Sequence, residues 1–223
     1  PKLATEINLK QIKEILKFIN KKNKIILPVT NSGYGIGEKN KFCTEDSPLR
    51  PISHYGITKV KAEKAIKKVK NFVSLRLATV FGLSGRIRTD LLVNDFTYRA
   101  IFDGKIELFE PHFKRNYIHV KDVARAIIYC IENFDKMRSN IFNIGLETAN
   151  LSKIELCKKI KKNHNKLKIQ INEFTKDPDQ RDYIVSNKKI LSKGWKPRYS
   201  LEYGIKELIK CYKSLKISRN SNI

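Results

Sequence analysis

"KIILPVTNSGYGIG", Lys24–Gly37, is the stretch on which the fold turns. Its apolar first half reads as a buried strand. The three glycines at every second position invite comparison with a phosphate-binding glycine turn. Such a turn needs a strand that runs at once into a helix, whose free N–H groups and positive dipole end meet the phosphate. Here the glycines lead into "EKNKFCTEDSPLRPIS", with Pro48 and Pro51 and no helical period. The expectation is therefore a strand end leading into a loop, with glycines that permit close backbone approach.

Working outward, Glu6 to Lys21 carries Ile7, Leu9, Ile12, Ile15, Leu16 and Ile19 at helical spacing. On the other side "SHYGITKVKAEKAIKKV" returns to a helical period and "NFVSLRLATVFG" reads as one further buried strand. Helix, strand, helix, strand is the rhythm of a parallel α/β sheet. Beyond it, helices are expected over "DLLVNDFTYRAIFDG", "VKDVARAIIYCIENF", "LSKIELCKKIKKN" and "SLEYGIKELIKCYKSL". Strands are expected at "KIELFE", "YIH", "IFNIG" and "KLKIQINEF", with a polar turn at "TKDPDQRD" and a frayed tail after Ser214.

The 223 residues include 46 Lys and Arg against 22 Asp and Glu, a net charge of +24. The lysines occupy the polar faces of successive amphipathic helices, and no nucleic-acid-binding motif accompanies them. A nucleic-acid partner is disfavoured; attraction of a small anionic substrate fits. No apolar run approaches the ~20 residues of a membrane span, and a cytoplasmic location is the default. Cys43, Cys130, Cys157 and Cys211 are scattered without a CxxC pair, which reads as reduced thiols with no metal site.

Tyr55 and Lys59 stand four apart at the start of a helix, on one face. An ammonium beside a phenol favours the phenolate, so the expectation is a Tyr pKa lowered from its usual ~10. Such a Tyr serves as general acid or base.

"TNSGYG", "YGITKVKAEK", "RLATVFG", "RNYIHVKDVARAI", "FNIG", "DPDQRDYIVSN" and "GWKPRYSLEYGI" together resemble the extended short-chain dehydrogenase/reductase family, in its branch of NAD-dependent nucleotide-sugar epimerases and dehydratases. The resemblance runs through nearly the whole chain in the family's order. It implies a Rossmann-type parallel α/β sheet with a smaller C-terminal α+β substrate-binding region. The implied division is 1–82 for the cofactor-binding part, 83–145 mixed, 146–214 for the small substrate-binding domain and 215–223 for the tail. By the same resemblance Thr30, Tyr55 and Lys59 are catalytic, with Tyr55 and Lys59 also holding NAD. Thr79, Asp90, Arg115, Asp179 and Arg181 then face the nucleotide sugar, Arg115 at the diphosphate and Asp179 near the nucleotide ribose. The implied activity is C4 epimerisation through transient oxidation. Dehydratase relatives carry an acidic pair after the Thr, where this chain has Asn31 and Ser32, so epimerase or 4-keto-sugar reductase is preferred. Lys176 replaces a family Arg, and Thr79 and Asp90 replace Asn, which leaves the sugar and the base open. His119 reads as a packing histidine and Trp195 as a packing residue. The family's GxxGxxG does not occur in these residues, so the chain reads as the C-terminal two-thirds of an enzyme that alone would bind NAD poorly. Relatives pair through a four-helix bundle, here the helices 6–21 and 53–70. A catalytically silent protein on the same scaffold is the reading from a different class.

Overall fold

A computed structural model describes residues 2–173 and 179–214. Lys176 and the tail 215–223 lie outside the described residues. The first helical run comprises α1 (Lys2–Thr5), a π turn (Glu6–Lys10) and α2 (Gln11–Phe18). It thus starts earlier and ends three residues sooner than the apolar period suggested. The strand β1 (Ile25–Thr30) follows, and a single 3-10 turn, Asn31–Tyr34, takes the place of a helix after it. Gly35 then adopts φ +67°, and a Cβ there would lie 1.9 Å from the Arg50 carbonyl oxygen. Only glycine fits this position.

The loop that follows holds the short strand β2 (Phe42–Cys43), which the proline-rich composition concealed. Helix α3 (His54–Ile66) starts at the Ser53 cap, whose Oγ accepts from Gly56 N at 3.1 Å. The expected single strand over Asn71–Gly82 is in fact two: β3 (Phe72–Leu77) and β4 (Thr79–Phe81). Ala78 marks the break. Its N–H bonds the Ile144 carbonyl at 2.9 Å, and beyond it the chain pairs with a different sheet.

Onward lie α4 (Leu92–Phe102), β5 (Lys105–Leu108), β6 (Lys114–His119), α5 (Val120–Glu132), α6 (Phe134–Met137) and β7 (Asn140–Ile144). The C-terminal part adds β8 (Asn150–Ser152), α7 (Lys153–Asn163), β9 (Lys168–Ile171), β10 (Ile184–Val185), α8 (Lys188–Ser192) and α9 (Leu201–Ser214). β10 and α8 were not anticipated, being too short to show a period.

The parallel sheet has the order β1-β3-β7, with Thr30, Leu77 and Ile144 in register at the carboxyl ends. β3 is central and buried along nearly its whole length, as an interior strand of a parallel sheet requires. A second sheet runs β4-β6-β8, with β6 and β8 antiparallel; β5 pairs with β9, and β2 with β10. The main apolar cluster extends from Val73 to Tyr212 and draws on all three large segments of the chain. Trp195 and the four free cysteines are buried. Among the described residues no helix is long and apolar enough to cross a membrane.

Candidate active site

The ends of β1 and β3, the start of β4 and the first turn of α3 enclose a cavity of about 420 Å³. Thr30, Ser32, Tyr55, Thr79, Arg88 and Arg181 supply its polar lining. Its location, outside the carboxyl ends of parallel strands, is where open α/β sheets bind ligands.

Thr30 closes β1 and caps the 3-10 turn. Its Oγ1 accepts from Ser32 N at 3.1 Å and donates to Ser32 Oγ at 3.0 Å. Tyr55, in the first turn of α3, is 46% exposed and lines the same cavity as Thr30. Gly56 allows this approach, since a Cβ there would already sit 3.3 Å from the Ser32 carbonyl oxygen and 3.1 Å from Pro51 Cβ.

The expected lowering of the Tyr55 pKa does not hold in this structure. Desolvation raises the phenol above its ordinary value, while Thr30, Arg181 and Arg88 pull the other way. Lys59 lies one helical turn on, but its Nζ donates to the Pro28 carbonyl at 3.4 Å and sits 6.0 Å from the Tyr55 ring centre. Lys59 is not among the groups that favour the Tyr55 phenolate here, and partial burial lowers its own pKa.

Arg181 forks onto Asp179, Nε to Oδ1 at 2.6 Å and Nη2 to Oδ2 at 2.5 Å, and its Nη1 donates to Ser32 Oγ. Arg115, 2% exposed, stands behind the pair with Nη2 3.2 Å from Asp179 Oδ1. Burial opposes ionisation of Asp179, but the two guanidinium groups outweigh it and hold the carboxyl at about 2. Arg115, Asp179 and Arg181 are thus brought together, and only Arg181 reaches the cavity.

Thr79 is in the lining; Asp90 is not. Asp90 is exposed on the rim and binds Arg88 through both oxygens, at 2.7 and 2.6 Å. Three lining residues escaped sequence reasoning as site residues: Ser32, Arg88 and Tyr183. Arg88 and Tyr183 stand next to residues that were singled out, and an arginine two positions before an aspartate in a loop was the available signal. His119 is fully buried, accepts from Lys121 N at 3.2 Å and pairs with Glu207 at 3.1 Å. Desolvation lowers its pKa, as fits a packing residue.

Residues 1–145 match the NAD dependent epimerase/dehydratase family. The chain is 28% identical to UDP-glucuronate 4-epimerase 1 of Arabidopsis thaliana over 227 residues, 90% of this chain and 51% of the relative. It is 30% identical to the UDP-glucose 4-epimerase of Lactobacillus helveticus over 171 residues, 66% of this chain and 52% of the relative. The chain thus spans about half the length of these curated relatives. In three dimensions it is similar to a UDP-glucose 4-epimerase with UDP-glucose from Thermotoga maritima, at a TM-score of 0.78 and 26% identity, covering 94% of this chain and 70% of the other. With residues 1–145 matched and a parallel α/β sheet of the same kind, the chain belongs to the NAD dependent epimerase/dehydratase family.

Proposed function

We propose that the protein is an NAD-dependent 4-epimerase of a nucleotide-activated sugar. The observation that carries this reading is the meeting of Tyr55 and Thr30 in one cavity at the carboxyl ends of parallel strands. The donor set fits the ribose end of NAD: α3 presents the Tyr55 hydroxyl and, one turn on, a Lys59 ammonium whose one hydrogen bond among the described residues is long. When bound, NAD supplies the acceptor and later the donor of a hydride.

In this reading Tyr55 takes the proton of the sugar C4 hydroxyl as C4 is oxidised and returns it when C4 is reduced from the opposite face. Thr30 holds the C4 oxygen and passes the proton to Tyr55. Lys59 binds the cofactor ribose hydroxyls and, turned from Pro28 toward the phenol, lowers the cost of the phenolate. Thr79 contacts the sugar and Asp90 acts at the rim. Arg115 and Arg181 attract the anionic substrate, and Asp179 fixes both guanidinium planes. Dehydration is disfavoured, because Asn31 and Ser32 carry no carboxyl and Ser32 Oγ is engaged by Thr30 and Arg181. Pairing of two copies through the first helical run and α3, in the cytoplasm, completes the proposal; Leu3, Ile7, Ile15 and Phe18 are exposed there.

The test is C4 inversion by the protein expressed from its complete gene, with NAD and a panel of UDP-, GDP- and dTDP-hexoses. Conversion that falls by about 10²–10⁴-fold in Tyr55→Phe is expected, the range of a lost acid–base group. NADPH-dependent reduction of a 4-keto sugar without inversion would make it a reductase, and a folded, NAD-bound protein inert toward every sugar would make it a silent scaffold.

A further inference from the structure

At the amino ends of the parallel strands, opposite Thr30, a second cavity of about 800 Å³ opens between the loops that lead into β1, β3 and β7. β1 runs from Ile25 to Thr30, so at about 3.3 Å per residue the two cavities lie on the order of 15–20 Å apart. Lys21 comes from the first of these loops, Lys68 and Lys70 from the second and Arg138 from the third, and no carboxylate is in the lining. Among the described residues none of these four cationic groups makes an ion pair or a side-chain hydrogen bond. Lysines elsewhere on the surface, Lys10 and Lys17 among them, lie beside a glutamate three or four residues before them.

Three helices, α2, α3 and α6, end at this cavity. The carboxyl end of a helix carries at most about half a negative charge, and α6 has a single turn to contribute. Cations placed here stabilise those ends, but four full charges exceed what three helix ends offset. The walls are also tied to one another. Asn71 Nδ2 donates to the Lys21 carbonyl at 2.7 Å, joining the first loop to the second, and Ser139 Oγ donates to the Lys70 carbonyl at 2.5 Å, joining the second to the third. Asn20 and Asn23 turn their amide oxygens to Lys22 N and Asn20 N, at 2.8 and 2.9 Å. Their Nδ2 groups are therefore the ends left to a ligand, and these are donors. Ile19 and Val69 supply the apolar part of the wall.

We propose that this cavity is a second ligand site, for a small molecule carrying a di- or triphosphate, separate from the cavity of Tyr55. The site stands whether or not the protein is an epimerase. Cations and amide donors without acceptors opposite them select an anion. A polyphosphate presents anionic oxygens along its length and so matches cations that arrive from three loops. Lysine is suited to this as a mobile point charge, and the arginine as a fork. A nucleic acid is served by a stripe of cations along an extended face, whereas these four surround one hollow.

The test is calorimetry of inorganic pyrophosphate and of ADP with the protein expressed from its complete gene, at about 0.15 M salt, where distant exposed charges are largely screened. Lys68→Met combined with Lys70→Met should weaken binding of both by about tenfold or more, as the loss of charge-assisted contacts gives. Lys158→Met combined with Lys162→Met removes the same charge from exposed positions of α7 and should leave both within about twofold. Acetylation of the folded protein, read by mass spectrometry, should show Lys21, Lys68 and Lys70 protected by pyrophosphate and Lys158 and Lys162 unprotected. Tighter binding of ADP assigns the site to a nucleotide, and tighter binding of pyrophosphate to the free anion. Failure of both to bind overturns the proposal, as does binding that the Lys68 and Lys70 substitutions leave unmoved. An equal loss in the two double variants reduces the effect to overall charge and overturns it too. So does a short DNA duplex held through Lys68 and Lys70 more tightly than either probe, which makes the partner a nucleic acid.

Discussion

In the proposed reaction the chemistry depends on the phenol of Tyr55, and its surroundings set its resting state. Desolvation raises its pKa, and the charge meant to lower it points to the Pro28 carbonyl. In the absence of cofactor Tyr55 should therefore titrate above the usual ~10 of a phenol. The alkaline absorbance difference between the unaltered protein and Tyr55→Phe measures this; a phenolate already present at pH 7 would show the reading of the site to be wrong. Asp179 shows the opposite sign. Its folded pKa of about 2 lies below the unfolded ~3.9, so its contribution to stability is present above pH 4 and is lost as pH falls through about 2. Stability measured from pH 5 to 2 should decline less steeply in Asp179→Asn, and an unchanged slope would exclude Asp179 as a contributor. Thr30 and Tyr55, which the fold brings to one cavity, could be singled out in the sequence because each belongs to a spaced motif. Arg88 was not, because a cavity is made by residues distant in sequence, and in a chain with 46 basic residues a loop arginine with an aspartate two positions on is only a weak mark.

Helix α3 delivers Tyr55 and Lys59 at one end, and at the other it is tied to the sheet by a buried ion pair. Glu63 and Arg76 are 3% and 4% exposed; Arg76 Nη2 lies 2.7 Å from Glu63 Oε1 and its Nε 2.9 Å from Oε2. Ser74 Oγ adds a bond to Glu63 at 3.0 Å, and Arg76 Nη1 reaches Tyr34 at 3.0 Å, in the turn that follows Thr30. One guanidinium therefore joins the helix that carries Tyr55 to the turn that follows Thr30. Glu63→Gln, which leaves the buried charge of Arg76 uncompensated, should cost about 3–5 kcal/mol, measured by denaturant unfolding. The double substitution Glu63→Leu with Arg76→Met should cost less; a double variant as unstable as the sum of the two singles would contradict the pairing. Of the elements read from sequence, α5 has a clear apolar period and β1 a short apolar run. The break at Ala78 could not be read in this way. Phe72 to Phe81 has no glycine or proline to mark a break, and only the partners on either side, β1 and β7 for β3 but β6 for β4, divide it.

The molecule as a whole carries a net charge of +24, and its lysines accompany nearly every helix. Composition therefore said little about the partner, whereas the order of motifs along the chain said much about the fold. The charge does bear on association. If two copies pair through the first helical run and α3, Lys13, Lys17, Lys61 and Lys64 approach their counterparts, and like charges repel less when screened. Sedimentation should show the dimer strengthening as salt rises from about 0.05 to 0.5 M, over which the screening length falls roughly threefold. Dissociation by added salt would point to a different, ion-paired interface.

The single-residue gap at Ala78 has a mechanical meaning. β3 and β4 are successive segments of one extended chain, yet each is hydrogen-bonded into a different layer. The cavity opens at this fork, with Leu77, Ala78 and Thr79 among its walls. Whatever occupies the fork touches both layers at once and works like a rivet through overlapping plates. If a sugar binds there as proposed, its binding is coupled to how the two sheets sit against each other.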